Sequence, residues 1–300
     1  LSVSTAANNT GTLIFLGNTI VNGDIGEAGA ALLEVDVGEA GTASSFGGDV
    51  NAATLGITGT GVVVLNGNLN GELSYLDDGT VMLADGMAVS GPVTNDAATD
   101  GQGTLTLEGS GWIFDQVGGS GASLKAVNAG ADGGNVSFSS DVHALSLNVT
   151  GTGNVAVNGD LNGSLSYEGD GAFMLADGGT ITGDVTNDTL NTGQGTLTLA
   201  GDGTVMGGVG EPGAALKAVN AGADGTSSVF FSSIYAFDTY ITGTGTVAVG
   251  GSIIGAVGYQ ADGELVLGDG ATIAAWSQAC RADRYAGAAW PLSQTSRFML

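Results

Sequence analysis

Apolar and polar residues alternate in short runs along this chain, and glycine-rich pairs separate the runs. Thr104-Leu105-Thr106-Leu107 follows Gly101-Gln102-Gly103. Asn154-Val155-Ala156-Val157 follows Gly151-Thr152-Gly153, and Ala172-Phe173-Met174-Leu175 follows Gly169-Asp170-Gly171. A period of two predicts strands with one face inward and one outward. The same alternation assigns Leu145, Leu147 and Val149 inward and Ser146 and Asn148 outward. Glycine supplies the positive φ of sharp corners, and the Asp-Gly and Asn-Gly pairs suit the same places. Helical periodicity is nearly absent.

The runs recur at a fixed offset of 92 residues. Gly11-Thr12-Leu13 returns as Gly103-Thr104-Leu105 and Gly195-Thr196-Leu197. Thr58–Gly61 returns at Thr150–Gly153 and Thr242–Gly245, and Asn95-Asp96 returns as Asn187-Asp188. The decamer Leu124–Gly133 is repeated letter for letter at Leu216–Gly225. Across all three copies its constant positions are Leu32/124/216, Val35/127/219, Gly38/130/222 and Gly41/133/225, which read as inward and turn positions. Three units result, 1–92, 93–184 and 185–273, with an aberrant tail at 274–300.

A single coil of this kind cannot bury its apolar face, but stacked coils can. The predicted fold is all-β: a right-handed parallel β-helix, or β-solenoid, of about four coils per unit. With strands about 4.8 Å apart, about twelve coils make a rod on the order of 55–60 Å long. Antiparallel β-sandwich modules of one unit each are the competing architecture. Trp112 speaks against them, because its equivalent is Thr204 and it is no recurring core aromatic.

Composition narrows the function. Of 300 residues 56 are Gly, only three are Pro, and the formal net charge is −25. Collagen is excluded by the missing Gly-X-Y period, and 43% hydrophobic residues exclude a disordered tail. An acidic surface repels phosphate backbones and anionic lipids, so neither nucleic acid nor a membrane surface is an expected partner. No apolar run approaches a membrane span. Cys280 is the only cysteine, so no intrachain disulfide forms. The start at Leu1 suggests an interior fragment of a longer protein.

Candidate chemistry is sparse. His143 is the only histidine, and its equivalents are Asn51 and Tyr235. It belongs to no repeated site, and a Ser-His-Asp arrangement lacks support. Asp170 with Asp177 is an available carboxylate pair, as a solenoid polysaccharide lyase or glycosidase would need. Asp77, Asp78 and Asp85 recur loosely as Asp170 and Asp177, then Asp262 and Asp269. Calcium needs several converging carboxylates, and the nine-residue calcium-solenoid motif does not repeat here. These carboxylates read as turn residues, so no catalytic, cofactor-binding or metal-ligating residue is assigned. Lys125 and Lys217, the only basic residues before the tail, read as decoration. At about four coils apart, roughly 19 Å, they cannot serve one site.

The tandem units resemble the passenger regions of type V autotransporters, and are most similar to the repeat-rich surface antigens of rickettsia-like bacteria. The residues that carry the resemblance are Asn187-Asp188, Gly195–Leu199, the Val205…Gly207–Gly210 stretch, Leu216–Asn220, Ile241–Val247 and Leu267–Ile273. Their order and spacing are more specific than any one motif, and the likeness covers roughly 8–273. It implies export to the outer-membrane surface of a Gram-negative cell and a non-catalytic adhesin or stalk role. It also implies host-cell or surface glycan or protein ligands, and anchoring by a C-terminal β-barrel that this chain lacks. A polysaccharide lyase or glycosidase, or a calcium-dependent surface-layer protein, is the alternative.

After Ile273 the repeat stops. The tail holds Arg281, Arg284 and Arg297, Cys280, and Trp276 and Trp290. A capping segment or a reading-frame slip would each produce this break, and the abrupt change of composition favours the slip.

Overall fold

The computed structural model describes residues 3–97, 99–189 and 191–275. The tail from 276 on lies outside them, and with it the capping-segment and frame-slip readings. Among the described residues there is no helix, and every strand ladder is parallel. Away from the first and last described coils, each strand pairs with the coil before it and the coil after it. The chain is therefore a parallel β-solenoid, and the sandwich alternative is excluded.

The number of coils can be counted along one inward row. Leu13, Val35, Leu55, Leu73, Val93, Val117, Val142, Leu161, Ile181, Val205, Phe230, Val249 and Leu267 follow one another as direct neighbours. That is thirteen coils among the described residues, one more than the twelve expected. Two further rows close the cross-section. One contains Leu105, Val127, Leu147, Leu165 and Val185. The other contains Val155, Phe173, Leu197, Val219 and Thr239.

Thirteen coils in three units is four and one-third coils per unit. The extra third has a structural meaning. Leu55, Leu147 and Thr239 are equivalents 92 residues apart, yet each lies in a different row. Every unit is thus turned by one face relative to the previous one. Lys125 and Lys217 lie on different faces, not one above the other on the same face.

Glycine fixes one corner of the coil. Strands Val50–Ile57, Val142–Val149 and Ile234–Ile241 each bend across two faces, with register breaks at Asn51/Thr54, His143/Ser146 and Tyr235/Asp238. On the next coil Gly71, Gly163 and Gly255 sit at φ +157°, +154° and +146°. A Cβ there would lie 1.7, 1.7 and 1.8 Å from the carbonyl oxygens of Ala52, Ala144 and Ala236. No side chain fits so close a backbone approach. The same bend corrects the expected alternation. Leu147 and Val149 point inward, but Leu145 lies within the break and is exposed.

The interior is a continuous, largely apolar core, with Ser228 and Thr239 among its few fully buried polar side chains. Each fully buried Val, Leu or Phe side chain contributes about 1.5–3 kcal/mol. Recurring core aromatics exist after all: Phe46, Phe138 and Phe230 are buried at equivalent places, as are Tyr75 and Tyr167. The Tyr75 and Tyr167 hydroxyls donate to the carbonyls of Thr104 and Thr196, each at 2.8 Å. The rings lie so close to Gly103 and Gly195 that a Cβ at either glycine would come within 2.4 Å. Burial pushes both phenols well above their usual pKa, with a backbone hydrogen bond from the next strand partly offsetting it.

Candidate functional site

The recurrent carboxylates lie at the corners, and their work there is visible. Asp49 accepts the backbone N–H of Asn68 at 2.8 Å, one coil on. Asp141 accepts that of Asp160 at 2.8 Å, and Asp160 accepts that of Thr180 at 2.8 Å. Asp85, Asp177 and Asp202 do the same for Ser110, Asp202 and Ser227, at 2.7, 2.7 and 2.6 Å. A corner N–H that finds no partner in the sheet is satisfied by the coil before it. In the third unit Ser233 and Ser252 take over from Asp141 and Asp160, and their hydroxyls accept from Ser252 and Thr272. The position requires a short side chain with an acceptor oxygen and tolerates the loss of charge.

The sequence candidates are not brought together. Asp170 and Asp177 sit beyond opposite ends of strand Ala172–Leu175, at two different corners. Asp170 also accepts the N–H of Gly195 at 3.3 Å. Asp77 accepts the N–H of Asp78, and Asp262 and Asp269 are exposed. Among the described residues no three His, Cys, Asp or Glu side chains group as metal ligands. His143 lies on the outer surface beside Asn162, lining a shallow groove with Ser120, Ser123, Ser164 and Thr182. Among the described residues no hydrogen bond joins its imidazole to a serine or aspartate.

The lysines depart from their reading as decoration. Lys125 pairs with Asp78 at 2.6 Å, and Lys217 pairs with Asp170 at 2.7 Å. Each pair joins one unit to the next across two coils. In the first unit the lysine position is Leu33. Both pairs are open to solvent, so each is worth roughly 0–1 kcal/mol.

One surface feature has the form of a binding groove. Along one outward row the neighbours are Ala88, Trp112, Ser137, Ala156, Met174 and Thr198. Trp112 is 44% exposed and Met174 42%. Between them the small Ser137 and Ala156 leave a groove of about 470 Å3, bordered by Asn135 and Asn154. The Asn154 amide donates to Asn135 at 2.9 Å. An indole face next to amide donors and acceptors suits a flat, hydroxylated or peptide-like ligand. Nothing in the sequence marks the groove, because it depends on which residues become neighbours one coil apart.

No family model, curated protein or solved structure matches this chain. The rod's own surface is therefore the ground for a functional reading.

Proposed function

We propose that this chain is a non-catalytic rod of an exported bacterial surface protein, serving as stalk and as adhesive surface in the manner of an autotransporter passenger. The observation that carries the reading is the use of the corner carboxylates. The recurrent aspartates cap the backbone of the next coil, and serine replaces them without disturbing the stack. Residues so employed hold a long object straight. They do not converge on a substrate as paired acid and base must.

The one-third turn per unit supports the same reading. Features copied with the unit are spread around the rod instead of lined up on one face. Its thirteen described coils span roughly 60 Å at the usual strand spacing. The groove at Trp112 is the contact surface, with a surface glycan or extended peptide as ligand.

Binding of the purified chain to glycan and peptide arrays tests the proposal. Retention that falls at least tenfold in Trp112→Ala, with an unchanged melting curve, is the expected result. Depolymerisation of a polysaccharide that is lost in Asp170→Asn or Asp177→Asn would replace this reading with an enzymatic one.

A further inference from the structure

The groove at Trp112 has a floor, two ends and two rails. The floor is small: Ser137, Ala156 and Ala172 face outward there. The ends are apolar. Trp112 stands at one, and Met174 at the other, three coil steps or about 14 Å away. Phe114, two residues after Trp112, is exposed beside it. The rails are amides. Asn154 and Asn158 lie two residues before and after Ala156 and both are exposed, so they flank the floor. The Asn154 amide donates to Asn135 at 2.9 Å, and the Asn158 amide donates to the Phe138 carbonyl at 3.1 Å. Each is held in place, while its own side-chain carbonyl oxygen has no protein partner among the described residues. The set occurs once among the described residues. One unit on, Trp112, Asn154 and Asn158 become Thr204, Thr246 and Gly250, and one unit back Trp112 and Asn154 become Ile20 and Val62.

Charge, backbone pairing and shape select the occupant. Among the described residues no charged side chain lines the groove. Lys125 and Lys217 are engaged by Asp78 and Asp170, and the protein carries a net charge of −25. An anionic ligand therefore meets repulsion without a counter-charge, and a cationic one finds no carboxylate in the groove. The strands beneath it, Gly111–Ile113, Asn135–Phe138, Asn154–Val157 and Ala172–Leu175, each pair with the coil before and the coil after. No edge is open to an added peptide strand, and a peptide's N–H and C=O groups would lose water against an apolar floor. A neutral pyranose ring fits instead. Its C–H face is apolar and stacks on an indole, while its hydroxyls radiate to the rim, where amides both donate and accept.

We infer that the groove binds an uncharged saccharide chain lying along the rod, with one ring stacked on Trp112 and the next over Ser137 and Ala156, between Asn154 and Asn158. The assignment rests on the reading of this groove as the rod's contact surface. Met174 closes the far end, so the bound stretch is short. The groove's volume of about 470 Å3 falls in the range of small-ligand sites. Because the stacking ring and both rails belong to the second unit alone, the chain takes up this ligand at a single place.

Titration calorimetry of the 300-residue chain tests it with three kinds of probe. These are uncharged oligomers of glucose, mannose and galactose, an oligogalacturonate, and an uncharged peptide of Ser, Thr and Gly. An uncharged sugar oligomer is expected to bind at a single site per chain. Trp112→Ala is expected to weaken that binding about tenfold or more, and Asn154→Leu about fivefold, with unchanged melting curves because both positions are exposed. Binding of the oligogalacturonate or the peptide alone, lost in Trp112→Ala, overturns the saccharide assignment and leaves the contact surface standing. Sugar binding that Trp112→Ala abolishes but Asn154→Leu and Asn158→Leu leave untouched overturns the placement between the amides. The absence of any Trp112-dependent binding overturns both the saccharide and the contact surface.

Discussion

Tyr167 and Tyr259 are the same residue in two consecutive units, yet one is fully buried and the other mostly exposed. Nothing in their own coils explains the difference. Each ends a strand with the same spacing of inward residues, and each lies opposite an Ile or Val of the preceding coil. What differs is the coil above. Tyr167 meets Gly195 and the Thr196 carbonyl, while Tyr259 lacks that partner among the described residues. The buried state of a residue in a solenoid is therefore a property of a junction between neighbouring coils, and not of the unit that carries it.

The sharpest way to break this comparison uses the glycines. In Gly195→Ala the added methyl meets the Tyr167 ring at 2.4 Å, and the backbone there has a positive φ besides. A loss of about 3–5 kcal/mol is expected from overpacking and strain together. Gly11, the equivalent position in the first unit, has φ +81° with the Thr5 methyl at an ordinary 3.7 Å from an added Cβ, so Gly11→Ala is expected to cost about 1 kcal/mol. Urea unfolding of both variants measures the difference. Equal losses would mean that the φ strain, and not the ring contact, sets the cost.

Next in size is the response to alkali. An unfolded tyrosine ionises above pH ~10, and the buried Tyr75 and Tyr167 are held protonated well beyond that. Above pH ~10 the unfolded state therefore releases protons that the folded state keeps. Stability is intact below that pH and falls as pH rises, by about 1.4 kcal/mol per pH unit for each buried tyrosine. The double variant Tyr75→Phe, Tyr167→Phe is expected to flatten the slope between pH ~10 and ~12 by about twice that figure. A slope unchanged by the two substitutions would place the alkaline transition elsewhere. At neutral pH, Tyr167→Phe is expected to cost about 1 kcal/mol, since it removes the hydrogen bond to the Thr196 carbonyl. Tyr259→Phe, at an exposed position, is expected to cost almost nothing.

Most of the architecture could be read from the chain, because burial in a solenoid follows a two-residue alternation that sequence displays directly. The constant positions of the decamer behave as read: Leu124 and Val127 are buried, and Gly130 and Gly133 turn with φ +72° and +74°. What escaped was everything set by neighbours one coil apart. The fractional turn per unit depends on how coils of 18–25 residues sum around three faces, and no single motif shows it. The bend that exposes Leu145 lies between residues that look like a regular strand. The Trp112 groove needs Ser137 and Ala156 to fall beside the indole. Tyr75, Tyr167 and Tyr259 did recur visibly at the unit offset, and that signal could have located the junctions.

The smallest expected effect concerns the first unit against the second. Asn128 and Asn220 donate to the Thr106 and Thr198 hydroxyls of the coil before, each at 3.1 Å. Their equivalent is Asp36, whose neighbours are Ile14 below and Gly56 above. One oxygen of Asp36 is buried with no hydrogen-bond partner. Partial burial, and then the nearby Glu34, raise its pKa. A carboxyl whose folded pKa is raised binds its proton more tightly folded than unfolded. Its ionisation therefore weakens the fold above that raised value, and the penalty vanishes below the unfolded value of about 3.9. Asp36→Asn is expected to stabilise the chain at pH ~7 by less than about 1 kcal/mol, since the residue is only partly buried, and to do nothing at pH ~3. Adding Ile14→Thr rebuilds the Thr–Asn pair of the later units and is expected to contribute about 1 kcal/mol more. If the second substitution adds nothing, the amide pair is only a consequence of the stack, and the first unit has lost no stability by lacking it.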